Sequence, residues 1–165
     1  LGELGLRFEV RRKSLFWLDA PDDGEAPVFL FETPSGVYYG FPPVGGAGLK
    51  VAEHSGGHVL KDPLLVDRRV DLGEQDRVLA FAREYLSVGA RPVNRHATCL
   101  YTMTPDEHFI VDRHPDQLGL VLIAGLSGHG FKFATVLGEI AADLTLNGQT
   151  AHPIEFLSVR RPGLR

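Results

Sequence analysis

Leu118-Gly119-Leu120-Val121-Leu122-Ile123-Ala124-Gly125-Leu126-Ser127-Gly128-His129-Gly130-Phe131-Lys132-Phe133 holds a strand, a glycine-rich turn and the start of a helix in sixteen residues. The apolar run from Leu118 to Ala124, bounded by Gln117 and Gly125, suits a buried strand. Beyond the turn, Phe133, Val136, Leu137, Ile140, Ala141 and Leu144 recur at helical spacing, and Asn147-Gly148 supplies a C-terminal stop. Three glycines between strand and helix let the backbone approach a ligand closely. The helix start then offers N–H groups with partial positive charge. Lys132 adds a full cation beside that positive pole, an unfavourable position unless an anion satisfies it.

Upstream, Lys13–Leu18, Val28–Phe31 and Val37–Phe41 read as short strands, with turns at Asp22-Asp23-Gly24-Glu25 and Thr33-Pro34-Ser35-Gly36. They predict an antiparallel meander. A glycine-rich connector, Pro42-Pro43-Val44-Gly45-Gly46-Ala47-Gly48, follows. Asp71 with Glu74 resembles a capping box and opens a predicted helix through Leu86, with Val78, Leu79, Ala82, Tyr85 and Leu86 on one face. The tail from Ile154 to Val159 suggests an edge strand. Strands first, with helices interspersed irregularly, make the fold α+β with a mainly antiparallel sheet and flanking helices.

At 165 residues the chain has the size of one domain, long enough to bury roughly 70% of its unfolded surface. A net charge of −4 offers no basic patch for nucleic acid. No apolar run reaches the roughly 20 residues that span a bilayer, and no signal peptide is visible, so a reducing cytoplasmic setting is the expectation. Met103 is the only methionine, so the chain is expected to be part of a longer protein. No G-x-G-x-x-G precedes a helix, which leaves the chain without a dinucleotide fingerprint.

Cys99 is the only cysteine, so it forms no internal disulfide. A buried bystander, a nucleophile and an attachment point all remain open. Arg95 and His96 precede it, and basic neighbours favour thiolate. His96, His108 and His129 stand at no spacing that supports a thiol protease. His54, His58, His108, His114 and His129 match no metal-ligand pattern, and no metal is expected. Lys50, after the connector, reads by itself as a solvated lysine.

Tyr38-Tyr39-Gly40-Phe41-Pro42, Gly45-Gly46-x-Gly48-Leu49-Lys50-x-x-x-His54, Cys99 through Asp112 and Gly125 through Asp143 together resemble the C-terminal half of the monomeric sarcosine oxidase and N-methyltryptophan oxidase family. The resemblance implies an FAD-dependent amine oxidase that converts secondary amines of N-methyl amino acids, with O2, to imine or aldehyde plus H2O2. It implies FAD joined through its 8α-methyl carbon to the sulfur of Cys99. Lys132 matches a lysine beside the flavin pyrimidine ring and the substrate carboxylate; Lys50 matches the lysine associated with oxygen activation. Tyr39 and His54 match residues on the substrate face, and Thr102, Gly128, His129 and Gly130 match positions near flavin and substrate.

On this reading, residues 1–125 form an N-terminally truncated substrate domain, 126–150 a strand-loop-helix segment returning to the FAD-binding domain, and 151–165 a tail. The nucleotide-binding half would lie N-terminal to the chain, and the helix from Phe133 to Leu144 would expose apolar surface without it. The fragment alone is expected to be inactive and to hold FAD poorly. Val51-Ala52-Glu53 differs from the Leu-Gly-Tyr usual before the matched histidine, which leaves the amine open. The rival readings are an oxidase of pipecolate or of sugar-modified amino acids, and a non-catalytic interaction domain that lost its flavin.

Overall fold

The computed structural model describes residues 2–22 and 27–164; the predicted turn at Asp22–Glu25 lies mostly outside them. The chain divides into two compact units, Arg12–Leu100, and Leu1–Arg11 with Tyr101–Arg165.

The first unit is built on a sheet ordered β2-β3-β4-β1-β5, with β6 also pairing with β1. Its strands are β1 (Glu9–Leu18), β2 (Phe29–Thr33), β3 (Gly36–Phe41), β4 (Leu49–Glu53), β5 (His58–Leu60) and β6 (Val93–Met103). The predicted meander is present: β2 and β3 pair antiparallel from Phe29↔Gly40 to Thr33↔Gly36 across a two-residue Pro34-Ser35 turn, and β4 continues it. Alternation then sorts side chains to opposite faces. Phe16, Leu18, Tyr38, Leu49 and Val51 pack on Val78, Phe81 and Ala82 of helix α1 (Leu72–Tyr85). The Tyr38 and Phe81 rings stack with centroids 4.3 Å apart.

Helix α1 starts as its cap predicts, the Asp71 carboxylate accepting from the Glu74 amide at 2.9 Å. Glu74 differs from the capping-box expectation. Its buried carboxylate takes Arg12 Nη1 at 3.0 Å, tying the helix to β1. The buried face also differs: Phe81, absent from the predicted stripe, is 3% exposed, whereas Tyr85 is 37% exposed.

In the second unit, β7 (Ile110–Arg113) and β8 (Val121–Ala124) form an antiparallel hairpin in register Ile110↔Ala124. Helix α2 (Ala134–Leu146) covers one face, through Leu137, Ile140 and Leu144 against Phe109 and Val111. Leu4, Val159 and Leu164 cover the other, against Ile110 and Leu122. The expected seven-residue buried strand is shorter. Only four of its residues are strand, and Leu118, in the turn, is 94% exposed.

The expected edge strand at Ile154–Val159 is instead a 3-10 turn at Glu155–Leu157. The Asp112 carboxylate takes the Ser158 hydroxyl at 2.8 Å and the Val159 amide at 3.0 Å, hydrogen bonds that a ladder would otherwise supply. No helix among the described residues is long and apolar enough to cross a membrane.

Candidate functional site

Packing of α1 on one face of the first sheet leaves the opposite face for other work. Trp17, Tyr39, Phe41 and Lys50 stand there, because Lys50 is the direct cross-strand partner of both Trp17 and Phe41. The Lys50 ammonium lies 5.0 Å from the Phe41 centroid and 5.8 Å from each of the Trp17 and Tyr39 centroids. A cation held over ring faces keeps its charge in a partly apolar setting. Tyr39 also meets His54 edge-on at 6.2 Å, and the His54 amide donates to the Val37 carbonyl at 2.6 Å.

Cys99 lies on β6 and is half-buried. Burial pushes its thiol up, and the Lys50 and Lys13 charges oppose that rise. The sequence pointed to Arg95 and His96 as the basic setting; the cations that act on the thiol come instead from β4 and β1. Arg95 sits over Trp17, its Cζ 4.6 Å from the indole centroid. The structure thus brings Lys50, Tyr39, His54 and Cys99 into one unit, with Trp17 and Phe41 as site residues that sequence reasoning missed. Alternation along β1 and β3 was the available signal for those two rings.

The other matched residues lie in the second unit. The turn after β8 is built round Ser127, which is 1% exposed and holds a positive φ of 45°. Its hydroxyl donates to the Gly125 carbonyl at 3.0 Å, it accepts from the Thr104 amide at 3.3 Å, and its own amide donates to the Thr102 carbonyl at 3.0 Å. These bonds offset the unfavourable backbone. Gly128 has φ 79°, and a Cβ there would fall 2.2 Å from the Tyr101 ring. His129 Nδ1 lies 3.0 Å from the Ser127 carbonyl, and its ring sits 4.7 Å from that of Phe109. Gly130 precedes a 3-10 turn, Phe131–Phe133, that leads into α2 with no side-chain cap. Lys132 is exposed in that turn, its ammonium 5.5 Å from the Phe133 centroid.

One cluster fits no sequence pattern. His58, Asp71 and Glu74 each bring a ligand-type atom within 4.8 Å of the others. Arg12 Nη1, at 3.0 Å from Glu74 and 3.9 Å from Asp71, already compensates both carboxylates.

In the first unit a half-buried thiol accompanies a ring-held lysine; in the second a glycine-built turn joins a strand to a helix. The chain belongs to the FAD dependent oxidoreductase family, whose profile matches residues 2–144. It is 42% identical over 146 residues to the monomeric sarcosine oxidase of Bacillus sp. (strain B-0618), covering 87% of this chain and 37% of that one. It is 43% identical over 143 residues to the N-methyl-L-tryptophan oxidase of Escherichia coli O139:H28, covering 80% and 37%. The chain therefore spans well under half the length of the curated relatives it matches. Among solved structures, L-proline dehydrogenase from P. horikoshii superposes with a TM-score of 0.79 over 93% of this chain and 40% of that one; at 20% identity this bears on the fold alone.

Proposed function

We propose that the chain is the substrate-side part of a covalent-flavin amine oxidase of the sarcosine oxidase type, working in the cytoplasm. Its substrate is a small N-methyl amino acid, and its products with O2 are imine, hydrolysed to aldehyde, and H2O2. The observation that carries the reading is the half-buried Cys99 on β6, in the same compact unit as the ring-held Lys50. The ring-lined sheet face fits FAD, since aromatic rings suit a planar ligand, and the Lys50 and Lys13 charges oppose the rise that burial gives the Cys99 thiol.

Bound FAD supplies a two-electron acceptor that O2 reoxidises. The remaining work falls to side chains. Cys99 is the attachment point. Lys50, held by Trp17, Tyr39 and Phe41, presents positive charge where oxygen gains negative charge, with little reorganisation. Tyr39 and His54, in edge-to-face contact, line the substrate face and orient the amine. In the second unit, Lys132 offers a cation to a carboxylate or an electron-rich ring. Thr102, Gly128, His129 and Gly130 set the backbone against the cofactor.

The test is the denatured intact mass of the full-length protein, expressed with ample riboflavin, with peptide mapping around Cys99. A flavin-sized adduct on the Cys99 peptide is expected. An unmodified Cys99 in flavin-replete protein would remove the covalent link and favour a cofactor-free binding domain.

A further inference from the structure

The imidazole of His58, on β5, faces two carboxylates at the start of α1. His58 Nε2 stands 3.1 Å from Asp71 Oδ2 and 3.7 Å from Glu74 Oε1. Ligand atoms about 2.1 Å from one tetrahedral ion stand roughly 3.4 Å apart, a separation that these two distances bracket. One ligand-type atom from each residue lies within 4.8 Å of the other two, and all three residues belong to the first unit.

Each carboxylate has one oxygen committed and one to spare. Asp71 Oδ1 accepts from the Glu74 amide at 2.9 Å, and Glu74 Oε2 accepts from Arg12 Nη1 at 3.0 Å. These bonds fix both side chains, as hydrogen bonds outside a coordination sphere orient metal ligands. The Glu74 side chain is 7% exposed, yet its Oε1 accepts no hydrogen bond from another described residue; His58, at 3.7 Å, is too far to donate one. A carboxylate this buried gains from a donor or a cation on each oxygen. The His58 side chain is 61% exposed, which leaves an entry path and room for a water as a further ligand.

Two carboxylates against the single Arg12 guanidinium leave the cluster one negative charge when His58 is neutral, the form that binds metal. One imidazole nitrogen with carboxylate oxygens is a donor set for zinc and related divalent ions. Sequence spacing carries no such pattern, because the ligands come from a strand, a helix cap and a first helical turn.

We infer that His58, Asp71 and Glu74 form a binding site for one divalent ion of the zinc type, which clips β5 to the start of α1. β5 ends the sheet order and is only three residues long, so its own ladder holds it by few hydrogen bonds. The site takes no part in amine oxidation and stands or falls apart from the flavin reading.

The 165-residue chain, stripped of metal and with Cys99 blocked by N-ethylmaleimide, is titrated with zinc chloride by calorimetry at about pH 7.5. His58→Gln and Glu74→Gln are titrated in parallel, and far-ultraviolet circular dichroism confirms that they fold. Should Glu74→Gln fail to fold, Asp71→Asn, which keeps the helix cap, takes its place. One equivalent of zinc is expected to bind the parent, with affinity at least roughly tenfold lower in each variant. Zinc should also raise the urea midpoint of the parent and not that of His58→Gln. No binding up to about 1 mM zinc, or a variant that binds zinc as tightly as the parent, would overturn the site and leave the cluster an ion-pair network round Arg12.

Discussion

Cys99 is the residue on which opposing electrostatic effects meet. Desolvation disfavours its thiolate, while Lys50 and Lys13 favour it, and the balance leaves the thiol above its ordinary value. Removing a cation must raise it further. Lys50→Met is therefore expected to shift the pH profile of iodoacetamide alkylation at Cys99 to higher pH, with a rate at pH 8 about fivefold lower. An unshifted profile would show that Lys50 does not act on the sulfur. Gly128 is a second single-residue case, governed by shape. At φ 79° with a rigid Tyr101 ring 2.2 Å from any added Cβ, Gly128→Ala meets both backbone strain and a clash. A loss of about 2 kcal/mol in urea unfolding is expected. A loss below about 0.5 kcal/mol would mean that the turn relaxes round a side chain.

Among the elements, the tail and the turn before β7 are held by one guanidinium. Arg161 forms a bidentate pair with Asp106, at 2.7 and 2.9 Å, and donates to the carbonyls of Phe109 at 2.8 Å and His108 at 2.9 Å. The Asp106 carboxyl is held well below the usual carboxylate range, chiefly by its hydrogen bonds from Arg161. A group depressed on folding stabilises fully above its unfolded value, near 3.9, and loses that contribution as pH falls toward the folded one. Arg161→Met should thus cost about 2 kcal/mol at pH 7, and the gap from the parent should shrink below about pH 4. A gap that stays constant from pH 7 to pH 2.5 in urea titrations would assign the loss to packing.

Elements whose signal is local were legible in the sequence: the Asp71 cap, the Thr33–Gly36 turn and the apolar stripe of α2. Misses occurred where a distant partner decides. Phe81 is absent from the predicted stripe although it stands at helical spacing from Val78 and Tyr85, and its burial comes from stacking on Tyr38 of β3. Glu74 reads as a capping-box member, but Arg12, 62 residues earlier, takes its carboxylate. The Ile154–Val159 run is apolar enough for either a strand or a turn, and Asp112 decides between them. Lys50 between Leu49 and Val51 looks like an outward-facing solvated lysine. Only the pairing of β1, β3 and β4 surrounds it with three rings.

At the scale of the whole molecule, apolar surface stands uncovered along α2. A groove of about 360 Å³ runs along α2, lined by Phe109, Phe133, Val136, Ile140, Ile154 and Phe156. Phe131 and Leu146, at the two ends of that helical segment, are 95% and 80% exposed. Contiguous apolar surface of this kind binds amphiphilic dyes, and Lys132 at its edge supplies a cation for a sulfonate. The isolated 165-residue chain is therefore expected to enhance anilinonaphthalene sulfonate fluorescence while keeping a cooperative urea transition, which separates a native groove from a molten state. Phe133→Glu, at a position 40% exposed, places a like charge at the mouth and should cut the enhancement at least threefold without lowering the urea midpoint. Full dye binding by Phe133→Glu would put the responsible surface elsewhere. The exposed leucines near α1, Leu64 at 91% and Leu65 at 80%, are then the surface to substitute next.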